Sequence, residues 1–218
     1  MKMIMINGSP KGKNGNTEIL IQKFMKGMKV PFEVRHIARE GSQQIVQDLL
    51  QFDAVIVAMP LYIHAMPGIV MKMFELMEPV VDEGKSMGFI VQSGFIESEQ
   101  SKYLEQYLAA FAKRLNYAYL GTVIKGGSAG IYMMPEKMNK SLFNQLQRLG
   151  EHFEMSGSFH PEVVKELASP YRLSPRKSKL LQFFYKVGLG DSIFWRMLLK
   201  KNLAWDKKFD QPFADNKG

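Results

Sequence analysis

No cysteine occurs among the 218 residues. That absence excludes a disulfide framework, a cysteine-ligated iron–sulfur cluster and a thiol nucleophile. Histidine is scarce, and His36, His64, His152 and His160 show no metal-ligand spacing with carboxylates, so no metal is expected. Long apolar runs are also missing. The longest candidate, Leu180 to Leu199, is interrupted by Lys186, Asp191, Arg196, Gly188 and Gly190, whereas a spanning helix needs roughly 20 apolar residues. The opening Met1-Lys2-Met3-Ile4-Met5-Ile6 is too short for a signal-peptide core and reads as a strand. Without a secretory signal, the sequons at Asn7 and Asn139 are chance matches, and a cytoplasmic location is expected.

What is present is ordinary for a globular chain: 46% hydrophobic and 23% charged residues. Such a length can bury a core without staples. The net charge of +8 is uneven. Residues 155–218 hold 12 Lys and Arg against 6 Asp and Glu, while residues 1–154 hold 17 against 15. Any attraction to a polyanion therefore concerns the tail.

Hydrophobic spacing predicts strands at Lys2–Asn7, Phe32–Ile37, Asp53–Met59, Ser86–Gln92 and Tyr119–Ile124. Between them it predicts helices at Thr17–Met28, Gln43–Leu50 (capped by Ser42), Ile69–Met77, Ser98–Leu115 and Met138–Phe153. Asp53–Met59 is a near-continuous apolar run, as in a strand covered on both faces. Five strands alternating with five helices imply an α/β fold with a doubly wound parallel sheet. Ligands of such sheets sit outside the carboxyl ends of the strands, where strand order reverses. Attention falls on the segments after Ile6, Met59 and Gln92.

The first is Gly8-Ser9-Pro10-Lys11-Gly12-Lys13-Asn14-Gly15-Asn16-Thr17, between a strand and a helix. Free N–H groups and the positive helix end face one concavity there, glycines permit close approach, and Ser9, Thr17 and a lysine can meet phosphate oxygens. Asn16 stands where a P-loop has its lysine, and no GxGxxG occurs, so a bound monophosphate fits better than a nucleoside triphosphate or a classical dinucleotide site.

GSPKGKNGNT after a first strand resembles the GSPRxxGNT signature of the NADPH-dependent FMN reductase group of the flavodoxin-like superfamily. The segment Met59-Pro60-Leu61-Tyr62-Ile63-His64-Ala65-Met66-Pro67-Gly68, followed by Lys72 and Glu75, is similar to the group's second motif, with Glu75 replacing the usual Asp. The resemblance implies a flavodoxin-like five-stranded sheet in the order 2-1-3-4-5 over residues 1–154, with a helical C-terminal extension over 155–218. It implies FMN, with Ser9, Lys11, Asn16 and Thr17 at the phosphate. Pro60, Leu61, Tyr62 and Ile63 would lie along the isoalloxazine, and Gly94 and Phe95 would flank its other side. The implied activity is an oxidoreductase passing hydride from NAD(P)H through the flavin to a small acceptor: a quinone, nitro or azo compound, or free flavin. Relatives of this kind are often dimers, so a homodimer is expected. An electron-transfer flavodoxin is the alternative, though such proteins are typically acidic and this chain has a pI near 9.5. A flavodoxin-like module without activity is the third reading.

No catalytic side chain is expected, because the cofactor carries the chemistry. His64 reads equally as a donor to flavin or substrate and as a loop residue without a role. Gly126-Gly127-Ser128-Ala129-Gly130 reads as a connecting loop, with admission of nicotinamide or substrate as the alternative, and Met59, Met66, Met71, Met73 and Met77 as core filler. Pro161, Pro170 and Pro175 mark a linker before two short helices, Lys177–Lys186 and Ser192–Lys201. Their apolar face is expected to pack on the core or a second copy, with Lys and Arg solvated. Peripheral contact with lipid stays open, and no nucleic acid is expected.

Overall fold

The computed structural model describes residues 2–30, 32–81, 84–187 and 189–210. Five strands form one parallel sheet: β1 Met3–Asn7, β2 Glu33–His36, β3 Ala54–Pro60, β4 Ser86–Gln92 and β5 Ala118–Lys125. Their order is β2-β1-β3-β4-β5, the flavodoxin-like order that the sequence resemblance implied. β1 and β3 are buried at every residue, because helices cover both faces of the sheet.

The pleat sends alternate residues to two cores. Met3 and Met5 join Ile56, Ala58 and Ile90 against α1 (Asn16–Met25) and α6 (Lys140–Ser156). Ile4 and Ile6 join Val55, Val57 and Phe89 against α3 (Ser42–Leu49), α4 (Gly68–Glu75) and α5 (Lys102–Arg114). Of the five methionines near the second loop, Met59, Met66, Met73 and Met77 fill this second core, while Met71 is exposed.

α1 and α6 meet through two glycines, Gly150 within α6 and Gly27 in the turn just after α1. A Cβ on Gly150 would lie 2.1 Å from the carbonyl oxygen of Phe24, and one on Gly27 would lie 2.0 Å from that of Gln147. The helix backbones touch here with no room for a side chain.

Two local expectations need correction. A short helix, α2 (Ile37–Glu40), follows β2, and the residue preceding α3 is Gly41 at φ +81°. Ser42 is therefore not a cap; it is the first helical residue, and its hydroxyl donates to the Ile69 carbonyl at 3.2 Å. The proline-marked stretch contains α7, Pro161–Leu167, whose Val163 and Leu167 are buried in the α1–α6 core. Pro161 opens that helix, where its missing N–H costs nothing. The first compact unit runs to Arg172 and so includes residues 155–172, and the second begins at Leu173. The second unit, described by itself, holds α8 (Pro175–Lys186) and α9 (Leu189–Lys201), which pack against each other.

Candidate functional site

The strand order reverses between β1 and β3, so the segments leaving these strands part and open a crevice at the carboxyl edge. The loop after β1 is anchored to β3 by Gly8 N–H donating to the Ala58 carbonyl at 2.8 Å. Its bend is set by buried Asn7, whose Oδ1 accepts the Ser9 N–H at 2.9 Å. A Cβ on Gly15 would stand 3.0 Å from Ser9 Oγ, a tight contact that the Ser9 side chain would have to yield to.

Asn7 also donates through Nδ2 to the Glu18 carboxylate at 2.8 Å. The same carboxylate accepts from Gln22 at 2.9 Å and from His36 Nε2 at 2.8 Å. Burial pushes the Glu18 carboxyl up, but these hydrogen bonds and the His36 interaction outweigh it and hold it below its ordinary 4.5. The stability Glu18 contributes is therefore complete above pH 4.5 and is lost as the pH falls through the lowered folded value. Glu18→Gln is expected to flatten the acid-side decline of the thermal midpoint, measured across that range against the parent protein.

The residues predicted at the phosphate divide into two groups. Ser9 and Thr17 are buried with their hydroxyls at the loop, Lys11 is exposed, and residues 8–17 include no carboxylate. The N–H groups of Asn16 and Thr17, in the first turn of α1, have no backbone acceptor among the described residues. The Asn16 side chain is engaged elsewhere: its Nδ2 donates to the Ser128 carbonyl at 2.8 Å. Ser128 is fully buried. Its hydroxyl hydrogen-bonds Gln92 Oε1 and reaches the Ser93 carbonyl at 2.7 Å, and Gln92 Nε2 donates to Thr17 Oγ1 at 3.4 Å. The stretch 126–130, expected as a plain connection, is thus a clamp joining the loops after β1, β4 and β5. Gln92 and Ser128 were not singled out in the sequence. A glycine pair followed by a hydroxyl residue after a strand was the available signal.

Pro60, the last residue of β3, and Leu61 are buried, Leu61 within the core, while Tyr62 and Ile63 are exposed, Ile63 to 91%. The Leu61 N–H donates to the Gln92 carbonyl at 2.8 Å. Tyr62 and Ala65 exchange N–H···O bonds of 2.8 and 3.0 Å around a two-residue turn, with Ile63 at φ +49° and His64 at φ +64°. Both central residues are left-handed, as in a type I′ turn. The turn aims His64 at the loop after β4. Its ring stacks on Phe95, with centroids 5.5 Å apart and planes 6° apart, and Nδ1 lies 3.2 Å from the Gln100 carbonyl. Phe95 therefore meets His64 on one face, and Gly94 beside it is exposed.

No protein-family model matches this chain, and no curated protein matches it. Solved structures do. An NADPH-quinone reductase from P. pentosaceus is 19% identical and aligns over 68% of this chain and 96% of its own, with a TM-score of 0.54. An FMN-dependent NADH-azoreductase from Bacillus anthracis, solved with FMN, is 14% identical over 70% and 99% of the two chains, at 0.53. An NADH:FMN oxidoreductase is 16% identical over 78% and 96%, also at 0.53. At these identities the likeness is one of fold: this chain shares the flavodoxin-like architecture of these proteins.

Proposed function

We propose that this protein is an FMN-dependent oxidoreductase that passes hydride from NAD(P)H through the flavin to a small acceptor, a quinone, nitro or azo compound or free flavin. The observation that carries the reading is the donor set at the β1–β3 crevice. Two buried hydroxyls, Ser9 and Thr17, stand beside two free helix N–H groups in a loop without a carboxylate. That chemistry suits a phosphate monoester. The fold shared with an NADPH-quinone reductase and an FMN-dependent azoreductase supports the same choice.

FMN would supply the hydride chemistry when bound. The chain's own residues would bind and orient. Ser9, Thr17 and the first turn of α1 donate to the phosphate, with the Lys11 ammonium adding charge from the rim. Asn16 serves them indirectly by tying α1 to the Ser128 carbonyl. Pro60 and Leu61, whose own N–H is held by the Gln92 carbonyl, would wall the ring edge, and Tyr62 and Ile63 would give it apolar cover from water. The stacked His64–Phe95 pair, next to Gly94, bounds the other side.

The test is the visible spectrum of protein reconstituted with FMN and desalted, followed by anaerobic NADPH or NADH. Retained flavin that bleaches with a nicotinamide is the expected result. Retained flavin indifferent to both would make the protein an electron carrier, and folded protein that keeps no flavin would end the proposal.

A further inference from the structure

The second unit carries a charge and exposure pattern that the flavin site does not use. In α8 and just past its end, Leu180, Phe183, Phe184 and Val187 recur at the helical spacing of three and four and are 41–59% exposed. They form one apolar stripe. Trp195 and Met197 of α9 are exposed as well, as are Leu203 and Phe209 beyond it. The basic residues are interleaved with this surface. Arg176, Lys177 and Lys179 lie at the start of α8, Lys186 at its end, and Lys200 and Lys201 at the end of α9. Lys208 Nζ lies 3.9 Å from the Trp205 ring centroid, and the Arg196 guanidinium 5.4 Å from it. Residues 173–218 hold 10 Lys and Arg against 4 Asp and no Glu, so they carry +6 of the chain's +8.

We propose that this unit is a peripheral membrane module that lays its apolar stripe in the interface of a bilayer containing anionic lipid. Three features favour that occupant. The charge complements an anionic surface, whereas docking two copies face to face would press one +6 segment against another. Phe and Trp beside Lys and Arg suit the headgroup boundary, where rings settle at the interface and long cationic side chains reach back to water. The geometry is that of a helix lying flat: no described helix is long and apolar enough to cross a membrane, and α8, with 12 residues, is about 18 Å long. The proposal stands independently of the flavin reading, since neither its residues nor its test involve the cofactor.

The experiment uses the full chain and two vesicle compositions, phosphatidylcholine alone and phosphatidylcholine with about one quarter phosphatidylglycerol. Cosedimentation should favour the anionic vesicles by about tenfold or more, and about 0.5 M salt should remove most of that preference. Both tryptophans of the chain, Trp195 and Trp205, lie in this unit, so tryptophan emission reports on it alone and should shift to the blue with anionic vesicles only. Leu180→Ser with Phe183→Ser should weaken binding about tenfold. Lys177→Glu with Lys179→Glu, at exposed positions where folding is not at stake, should weaken it at least as much. Equal partition to both vesicles, unshifted emission, or undiminished binding by both variants would overturn the proposal. So would a wild-type protein that ignores vesicles but falls from dimer to monomer, by light scattering, when the Leu180 and Phe183 changes are made. That outcome would assign the stripe to a second copy.

Discussion

Removing the two buried hydroxyls together, in a Ser9→Ala, Thr17→Val variant, is expected to weaken FMN binding about a hundredfold. A hydrogen bond from a hydroxyl to a charged phosphate oxygen is worth about 1.5–3 kcal/mol. Two of them, acting on one group and short of full additivity, amount to roughly 3 kcal/mol, and each 1.4 kcal/mol is a factor of ten. Thr17 Oγ1 also accepts from Gln92, so part of the loss could come through the clamp. Thr17→Ser keeps the hydroxyl and should bind nearly as well as the parent. Quenching of FMN fluorescence on titration reads both constants directly. A double variant that binds FMN as the parent does would remove the phosphate from this loop.

Gly150→Ala should destabilise the sheet unit by about 2–3 kcal/mol, which is large for a single added methyl. The new Cβ would fall 2.1 Å from the Phe24 carbonyl oxygen. A backbone atom inside a helix cannot swing aside, so α1 and α6 must separate and loosen the core between them. Gly27→Ala presses on the Gln147 carbonyl from the other side and should cost a similar amount. The pair should be well short of additive, because either change alone already parts the helices. Denaturant midpoints of the two single variants and the double test this, and midpoints unmoved by Gly150→Ala would contradict the close approach. Because α1 begins at the phosphate loop, flavin affinity should fall in the same variants.

The sheet was legible because its central strands are buried on both faces. Runs such as Ala54–Met59 can be little else when flanked by turn signals and helical periods. The first loop was legible for a different reason, its local chemistry between a strand and a helix. Legibility failed where meaning depends on partners distant in the chain. Asn16 looks like a phosphate ligand until its amide is seen on the Ser128 carbonyl. Ser128 itself sits in a stretch whose composition reads as flexible linker, yet it is fully buried. Gly27 and Gly150 are unremarkable in sequence, and their role exists only at the crossing of two helices. α7 was hidden by its own first residue, since proline punctuates a linker and opens a helix equally well. The extension's two helices were legible from their period, but what their Leu and Phe stripe meets was not, because that stripe has the same period whether covered or bare.

The two-residue turn beside the crevice bears on how this protein would respond to selection. Ile63 is a β-branched residue held at φ +49°, a conformation that costs an L-residue about 1–2 kcal/mol and glycine almost nothing. Its side chain is 91% exposed, so no packing inside the chain offsets that cost. A laboratory evolution run rewarding heat resistance alone would find Ile63→Gly among its cheapest gains. A run rewarding turnover would be expected to keep the isoleucine. Variants collected under the two regimes would diverge first at this corner of the molecule, making it a natural marker of which pressure a lineage has experienced.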